Sequence, residues 1–527
     1  MSRRPFAAVF AAAAAFALLT GAAAPAEAAG VFRINNSAEP ETLDPALATG
    51  VPEHRIMMNL FEGLYSNDPK TLAPVPAVAL RHTLSKDGRR YTFTLNPAAK
   101  WTNGRQVTAD DFVYAWERAL NPKTGAKYAQ QLYYLKNGEA YNKGEVTDFK
   151  QVGVRAASPT TLEVTLERPT AYFAYLTTFY TLYPVPKEAI EQHGKDWTKP
   201  GKIVSNGPFR LAEWVPQQAL VLEKNPAYWD AKTVALDRVV LNPTDDNNTS
   251  VKMFAAGETD WVPGNIPASQ VEVWRNRPEW YASPYLGTYY YRLNVTRKPF
   301  DDPRVRKAFA RAIDREALTK HVTRAGEIAW TGFVPKNMPD YPGVEGHGFD
   351  PAEAKRLLAE AGFPGGRGLP PVELIYNTNE THRAVGQAIQ QMWKQHLGVE
   401  ATLTNLEWKV YLSRVKELDY QVQRAGWIGD YVDPNTFLDM WITGGGNNQT
   451  GWSNKRYDDL IRKAADTVDP AERLRTLAEA EKVLVRGDLP IIPLWTYAGK
   501  GLIRRSFDGW HDNILDTHPM KAIRPRG

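Results

Sequence analysis

Tyr420-Gln-Val-Gln-Arg-Ala-Gly-Trp-Ile-Gly-Asp-Tyr-Val-Asp-Pro-Asn-Thr-Phe437 is the stretch around which the rest of the chain is organised. It opens as a half-buried strand, with Tyr420, Val422 and Arg424 falling on one side of a period-2 pattern. Gly426 and Gly429 then bracket Trp427 and Ile428, and glycine in a strand lets a second backbone come close. Asp430 follows directly. Asp433-Pro434 closes the segment as an N-cap and first-turn pair that predicts a helix from Asn435. An acid, aromatic walls and an approachable backbone suit a short extended peptide, which would add as a strand with its α-ammonium against Asp430. The alternative is that Asp430 caps a turn and Trp427 fills core.

Outward from this stretch, 527 residues are too many for one ordinary domain and predict two or three. The 43% hydrophobic and 23% charged residues are ordinary for globular material. A net charge of +5 on 64 basic and 59 acidic residues, with no basic run, argues against a nucleic-acid partner. The 16 Trp and 24 Tyr offer apolar faces with polar edges, suited to a wet and variable pocket as well as to core.

Residues 1–28 read as a secretory signal peptide: Arg3 and Arg4, an apolar stretch from Phe6 to Thr20, then Ala26-Glu27-Ala28 as a cleavage site. The chain has no cysteine, which removes disulfides, thiolate metal sites and any lipid-bearing cysteine anchor. An exported, unanchored protein of this kind is expected in a periplasm.

Local signals give the first elements. Val31 to Asn35 and Tyr91 to Leu95 read as strands, and Lys100 to Gly104 as a hairpin-like turn. Gly50-Val51-Pro52-Glu53 reads as a tight connection before a helix that runs through Leu60. Thr108 with Asp111 forms a capping box for a helix over Phe112 to Leu120. Asp350-Pro351 and Asp469-Pro470 start two later helices, with strands at Val372 to Tyr376 and Val399 to Leu403. Alternating helices and strands there predict an α/β lobe.

No phosphate loop, His-Glu-x-x-His or Gly-x-Ser-x-Gly motif occurs, and the nine His are scattered. Nothing in the spacing of the acids selects a catalytic pair. Binding without catalysis, and without metal or cofactor, is the better class; a peptidase would need a nucleophile or metal that the sequence does not place.

Phe61-Glu-Gly-Leu64, Trp101-Thr-Asn-Gly-Arg-Gln-Val-Thr-Ala-Asp-Asp-Phe-Val-Tyr-Ala-Trp116 and Asn206-Gly-Pro-Phe209 resemble the family-5 extracellular solute-binding proteins. So do Asn225-Pro-Ala-Tyr-Trp229, Asp302-Pro-Arg-Val-Arg306, Leu357-Leu-Ala-Glu-Ala-Gly-Phe363, Arg424-Ala-Gly-Trp427 and Pro490-Ile-Ile-Pro493. The set spans the mature chain. This resemblance implies a two-lobed α/β binding protein (type II, cluster C-like) with an extra inserted domain and a ligand cleft between lobes. Its domains would be 29–61, 187–286 and 499–527 together, an inserted 62–186, and 287–498, with a two-strand hinge near 286 and 498. The implied partners are a short peptide, an inner-membrane ABC permease and its ATPase subunits, with the chain itself a monomer.

The resemblance also assigns roles. Asp430 would hold the ligand's α-ammonium, and Arg424 would lie near its carboxylate end or pair with Asp430 when empty. Gly426 and Ile428 would supply backbone pairing from one side, Thr49 and Val51 from the other. Tyr128, Trp408 and Tyr497 would wall the pocket beside Trp427, as would Tyr290 from the Tyr289–Tyr291 run. His382 matches a position that can meet a peptide carboxylate, the alternative being an exposed His at a helix start. Arg292 stands where the family has an acid facing a side-chain pocket, Gly287 and Ile428 where some relatives have a cysteine pair, and Thr323 where a lysine meets short ligands. A murein peptide receptor of the same fold is therefore a second reading, and a peptide-dependent periplasmic chaperone or sensor a third.

Overall fold

In the computed structural model, residues 30–526 are described, apart from single positions at 171, 265, 337, 339 and 468. The expected signal peptide at 1–28 lies outside them.

The backbone of the molecule is a mixed sheet that runs through both lobes. Its strands lie in the order 401–406, 372–377, 422–428, 280–293, 491–503, 261–263, 31–35, 238–242, 219–224 and 209–215. The first three are mutually parallel, as are the strands at 261–263, 31–35 and 238–242. Two long antiparallel strands, Trp280–Leu293 and Ile491–Ile503, join these halves. Their pairing is interrupted between Pro284 and Thr288, where the register shifts. A separate four-stranded antiparallel sheet lies within residues 79–165.

Helices pack on the sheet through predictable starts. The capping box holds, with the Thr108 N–H donating to Asp111 Oδ2 at 2.8 Å, and Phe112, Trp116, Ala119 and Leu120 are all buried. The helix itself begins earlier than the sequence suggests, at Ala109. Asp350 and Asp469 cap their helices as expected, each accepting from the N–H three residues on. The second, Pro470–Lys482, widens into a π-turn over Val483–Asp488.

Three sequence expectations need correction. Val51-Pro52-Glu53 is the first turn of the helix Val51–Leu60, because proline at the second position already fixes a helical φ. The central strand starts at Val422 and continues through both Gly426 and Trp427, so Tyr420 precedes it. Tyr420 and Val422 are buried, whereas Arg424 is not fully covered. The helix starts at Asn435 as predicted and runs one turn, to Leu438, but its N-cap is Pro434 rather than Asp433; Asp433 Oδ1 accepts from the Asn435 N–H at 2.9 Å, and its Oδ2 binds Arg473 at 2.7 Å.

Candidate functional site

The strand Val422–Ile428 has one edge that no other strand covers along most of its length. The 280–293 strand pairs with it throughout, from Gly287 opposite Ile428 to Leu293 opposite Val422. On its other side the 372–377 strand reaches only Val422 and Gln423. The Gly429 N–H donates to Leu286 O at 2.8 Å, toward the 280–293 strand. Strand alternation then turns the peptide groups of Gly426 and Ile428 the opposite way, to the uncovered edge. That edge faces a cavity of about 340 Å³ between the lobes.

Gly426 leaves room there for two side-chain ends. A Cβ at this position would sit 2.6 Å from the Tyr497 hydroxyl and 3.3 Å from Arg424 Nη2. Across the cavity stand Thr49, Gly50 and Val51, where the helix Val51–Leu60 begins. The first N–H groups of a helix have no intrahelical acceptor, so Val51 presents a donor to this space.

Asp430 lines the same cavity. Gln131 Nε2 donates to its Oδ2 at 3.0 Å, and its own N–H donates to Thr436 Oγ1 at 3.0 Å. Among the described residues it has no ion-pair partner. Burial, then the nearby Asp439, holds its carboxyl well above the ordinary carboxylate range. Asp439 is itself pushed up to about 8 by burial and Asp433. Tyr128 stacks on Trp427 with ring centres 5.8 Å apart, closing the wall beside Asp430.

Arg424 does not pair with Asp430. Its Nη2 donates to the Tyr497 hydroxyl at 2.8 Å, its Nη1 to Asn377 Oδ1 at 3.4 Å, and its guanidinium lies 4.7 Å from the Tyr289 ring centre. Burial opposes its charge, but the surrounding phenols, Tyr497 and Tyr289 first, hold its pKa above the usual value.

His382 also reaches the cavity, but it is buried rather than exposed at its helix start. Its Nδ1 lies 3.3 Å from the Tyr289 hydroxyl, and burial followed by Arg424 keeps the ring neutral. Trp408 lines the cavity and approaches Glu53 Oε1 at 3.4 Å. Arg292 lines it too, donating to Gln449 Oε1 at 2.8 Å and to the Asn447 carbonyl at 3.2 Å, with no carboxylate beside it among the described residues.

Tyr290 is the exception. It is fully buried away from the cavity, edge-on to Phe333 at 4.9 Å and Trp441 at 5.9 Å, while Tyr289 takes the wall position. Successive strand residues face opposite ways, so adjacent tyrosines cannot share one wall. The sequence reading also missed Gln131, Asn377, Arg55 and Asp516, which come from helices, a strand end and a loop far apart in the chain. No local pattern marks them.

Contacts across the cleft are numerous. Lys416 binds Glu41 at 2.7 Å, Tyr172 stacks on Tyr431 at 5.5 Å, and Asn435 Nδ2 donates to the Tyr134 hydroxyl at 2.9 Å. An acid in a cavity wall, a free strand edge and aromatic walls are the geometry of a receptor for an extended ligand with a cationic end.

Residues 73–449 match the bacterial extracellular solute-binding proteins, family 5. The chain belongs to that family. It is 36% identical over 478 residues to the oligopeptide-binding protein OppA of Bacillus subtilis, covering 88% of this chain and 87% of that one. A periplasmic oligopeptide-binding protein, OppAIV, of Borrelia burgdorferi superposes with a TM-score of 0.90 at 34% identity, covering 94% of this chain and 99% of that one. The murein tripeptide binding protein MppA of Escherichia coli superposes at 0.89 and 34% identity, covering 94% and 98%. Its unliganded open form gives only 0.61 at 33% identity over the same coverage. Identity differs by only one point between those two, so the arrangement of this chain lies nearer the first MppA structure than the unliganded open form.

The same family explains the two-lobed mixed α/β architecture. Among the described residues no group of three or more His, Asp or Glu could hold a metal ion.

Proposed function

We propose that this chain is a periplasmic receptor that closes on a short peptide and delivers it to an inner-membrane ABC importer. The supporting observation is the uncovered edge of Gly426 and Ile428, which runs along the cavity to Asp430, an acid with no ion-pair partner among the described residues. Main-chain pairing at such an edge gives affinity without reading sequence, and the acid fixes the amino end. Thr49 and Val51 take the opposite side of the ligand, and Tyr128, Trp408, Trp427 and Tyr497 enclose its side chains. Arg424 and His382 lie on the carboxylate side. Domain boundaries near 286 and 498, inside the two long strands, make the hinge of this reading. Binding proceeds without hydrolysis, export uses the N-terminal segment, and the working unit is a monomer.

A murein peptide is the second reading, favoured by Arg292, a cavity guanidinium with no acid beside it among the described residues. The test is native mass spectrometry of the purified protein with a mixed tripeptide pool and murein tripeptide. Intact 1:1 complexes with peptides of unchanged mass are expected. No complex with any peptide, or steady loss of peptide that survives repurification and chelation, refutes the proposal.

A further inference from the structure

Four cations line the cavity: Arg55, Arg292, Arg424 and Lys500. Lys500 is neutralised, since Glu327 binds it directly. The three guanidiniums are not. Arg292 rests on an amide and a carbonyl, and Arg424 on a phenol and an amide.

Arg55 is the least engaged of them. It projects from the helix Val51–Leu60 on the wall opposite the 422–428 strand and is only 7% exposed. Its Nη1 donates to Asn36 Oδ1 at 3.1 Å, and its guanidinium lies 5.2 Å from the Trp261 ring centre. Those contacts use one of five N–H donors. Among the described residues no carboxylate comes within ion-pair distance of it. Asp516 acts on it from further away, and that carboxylate accepts from His518 Nε2 at 2.7 Å. A buried guanidinium held only by a neutral amide and a ring face loses hydration without a matching charge. The fork of free donors fits a carboxylate in two-point fashion.

Resting on the peptide reading above, we propose that Arg55 receives a carboxylate of the bound ligand, so that the cavity selects peptides by an acidic group on this wall. The group is either the peptide's terminal carboxylate or an acidic side chain, and the two are separable. Asp430 is already committed to the amino end, and Lys500 is paired. Arg55 is therefore the cation on the Val51–Leu60 wall that an added anion would complete.

The experiment is calorimetric titration of trialanine, its C-terminal amide, and tripeptides with Glu or Gln at each position in turn. Wild type, Arg55→Gln and Arg55→Lys are compared. Trialanine binding to wild type must come first; its failure sinks the peptide reading itself and is seen before any variant is made. Wild type is expected to prefer the carboxylate form about tenfold or more in at least one matched pair. Arg55→Gln should bring that ratio within about twofold, and Arg55→Lys, a point charge rather than a fork, should retain an intermediate ratio. Collapse of the acid-to-amide ratio assigns the terminal carboxylate, and collapse of a Glu-to-Gln ratio assigns a side chain. Arg55→Lys decides the question if Arg55→Gln does not fold. Ratios unchanged in the variants, or no carboxylate preference in wild type, overturn the proposal.

Discussion

Replacing Asp430 by Asn tests the centre of the site. In the closed cavity the carboxylate would meet a peptide ammonium at about 3 Å. At an effective dielectric of about 20 the attraction is about 5 kcal/mol. Dehydrating the ammonium, and the cost that burial puts on the ionised form of Asp430, offset a good half of this. About 2–3 kcal/mol remains, the usual worth of a charge-assisted hydrogen bond and some 30- to 150-fold in affinity. The empty protein should melt at an unchanged or slightly higher temperature, because the substitution removes an acid that burial already disfavours in its charged form. The proton adds a second readout. The empty-state carboxyl titrates well above the ordinary range, and a bound ammonium pulls it back down. Between those two values peptide binding releases a proton. The calorimetric enthalpy should then depend on the buffer's ionisation enthalpy in wild type and not in Asp430→Asn. Affinity should rise with pH through that window and fall above about 8, where the peptide's own amine loses its charge. Equal affinities of wild type for free and N-acetylated tripeptides would refute the reasoning.

Two further outcomes are expected. Peptides or murein peptides with an acidic side chain should outbind lysine-containing counterparts at low salt by about 1–3 kcal/mol, and Arg292→Glu should invert that order in competition binding; an unchanged ranking makes Arg292 structural. Glu53 ionises near 4.5 when unfolded but near 7 in the fold, chiefly through burial, so its raised value lowers stability as pH climbs from 4.5 to 7. Glu53→Gln should remove up to about 3 kcal/mol of that decline. Melting curves at pH 4.5 and 8 with the same slope in both proteins would exclude it.

Much of the site could be read from one stretch because its geometry is local. Gly426, Trp427, Ile428 and Asp430 fall within five residues, and strand alternation alone sends the first three to alternate sides. The polar residues that complete the cavity are a different matter. Gln131 meets Asp430 across 299 positions, and Trp408 meets Glu53 across 355. No spacing rule links such pairs. Arg55 sits on a short helix where an arginine reads as solvated surface, and only the fold reveals that its face turns inward. The early start of Val51–Leu60 was hidden because Gly-Val-Pro-Glu reads equally as a turn and as a first helical turn. Tyr290 shows the opposite fault, a run of like residues read as one wall although period 2 divides it. The mixed sheet itself exceeded local signals, since its order depends on which strands meet after two long excursions of the chain.

The paired strands 280–293 and 491–503 are the shared spine of both halves, interrupted over only a few residues. Both breaks in its register, at Pro284/Thr288 and Tyr289/Tyr290, lie close together in the chain, where the proposed hinge would bend. On the proposed reading, whatever lies between the jaws, the outer surface has one shut shape to show. A docking partner that recognises that shape learns that cargo is aboard and nothing about which cargo. On that same reading, chemical discrimination is confined to the interior walls, and a single transporter contact would serve every peptide those walls accept.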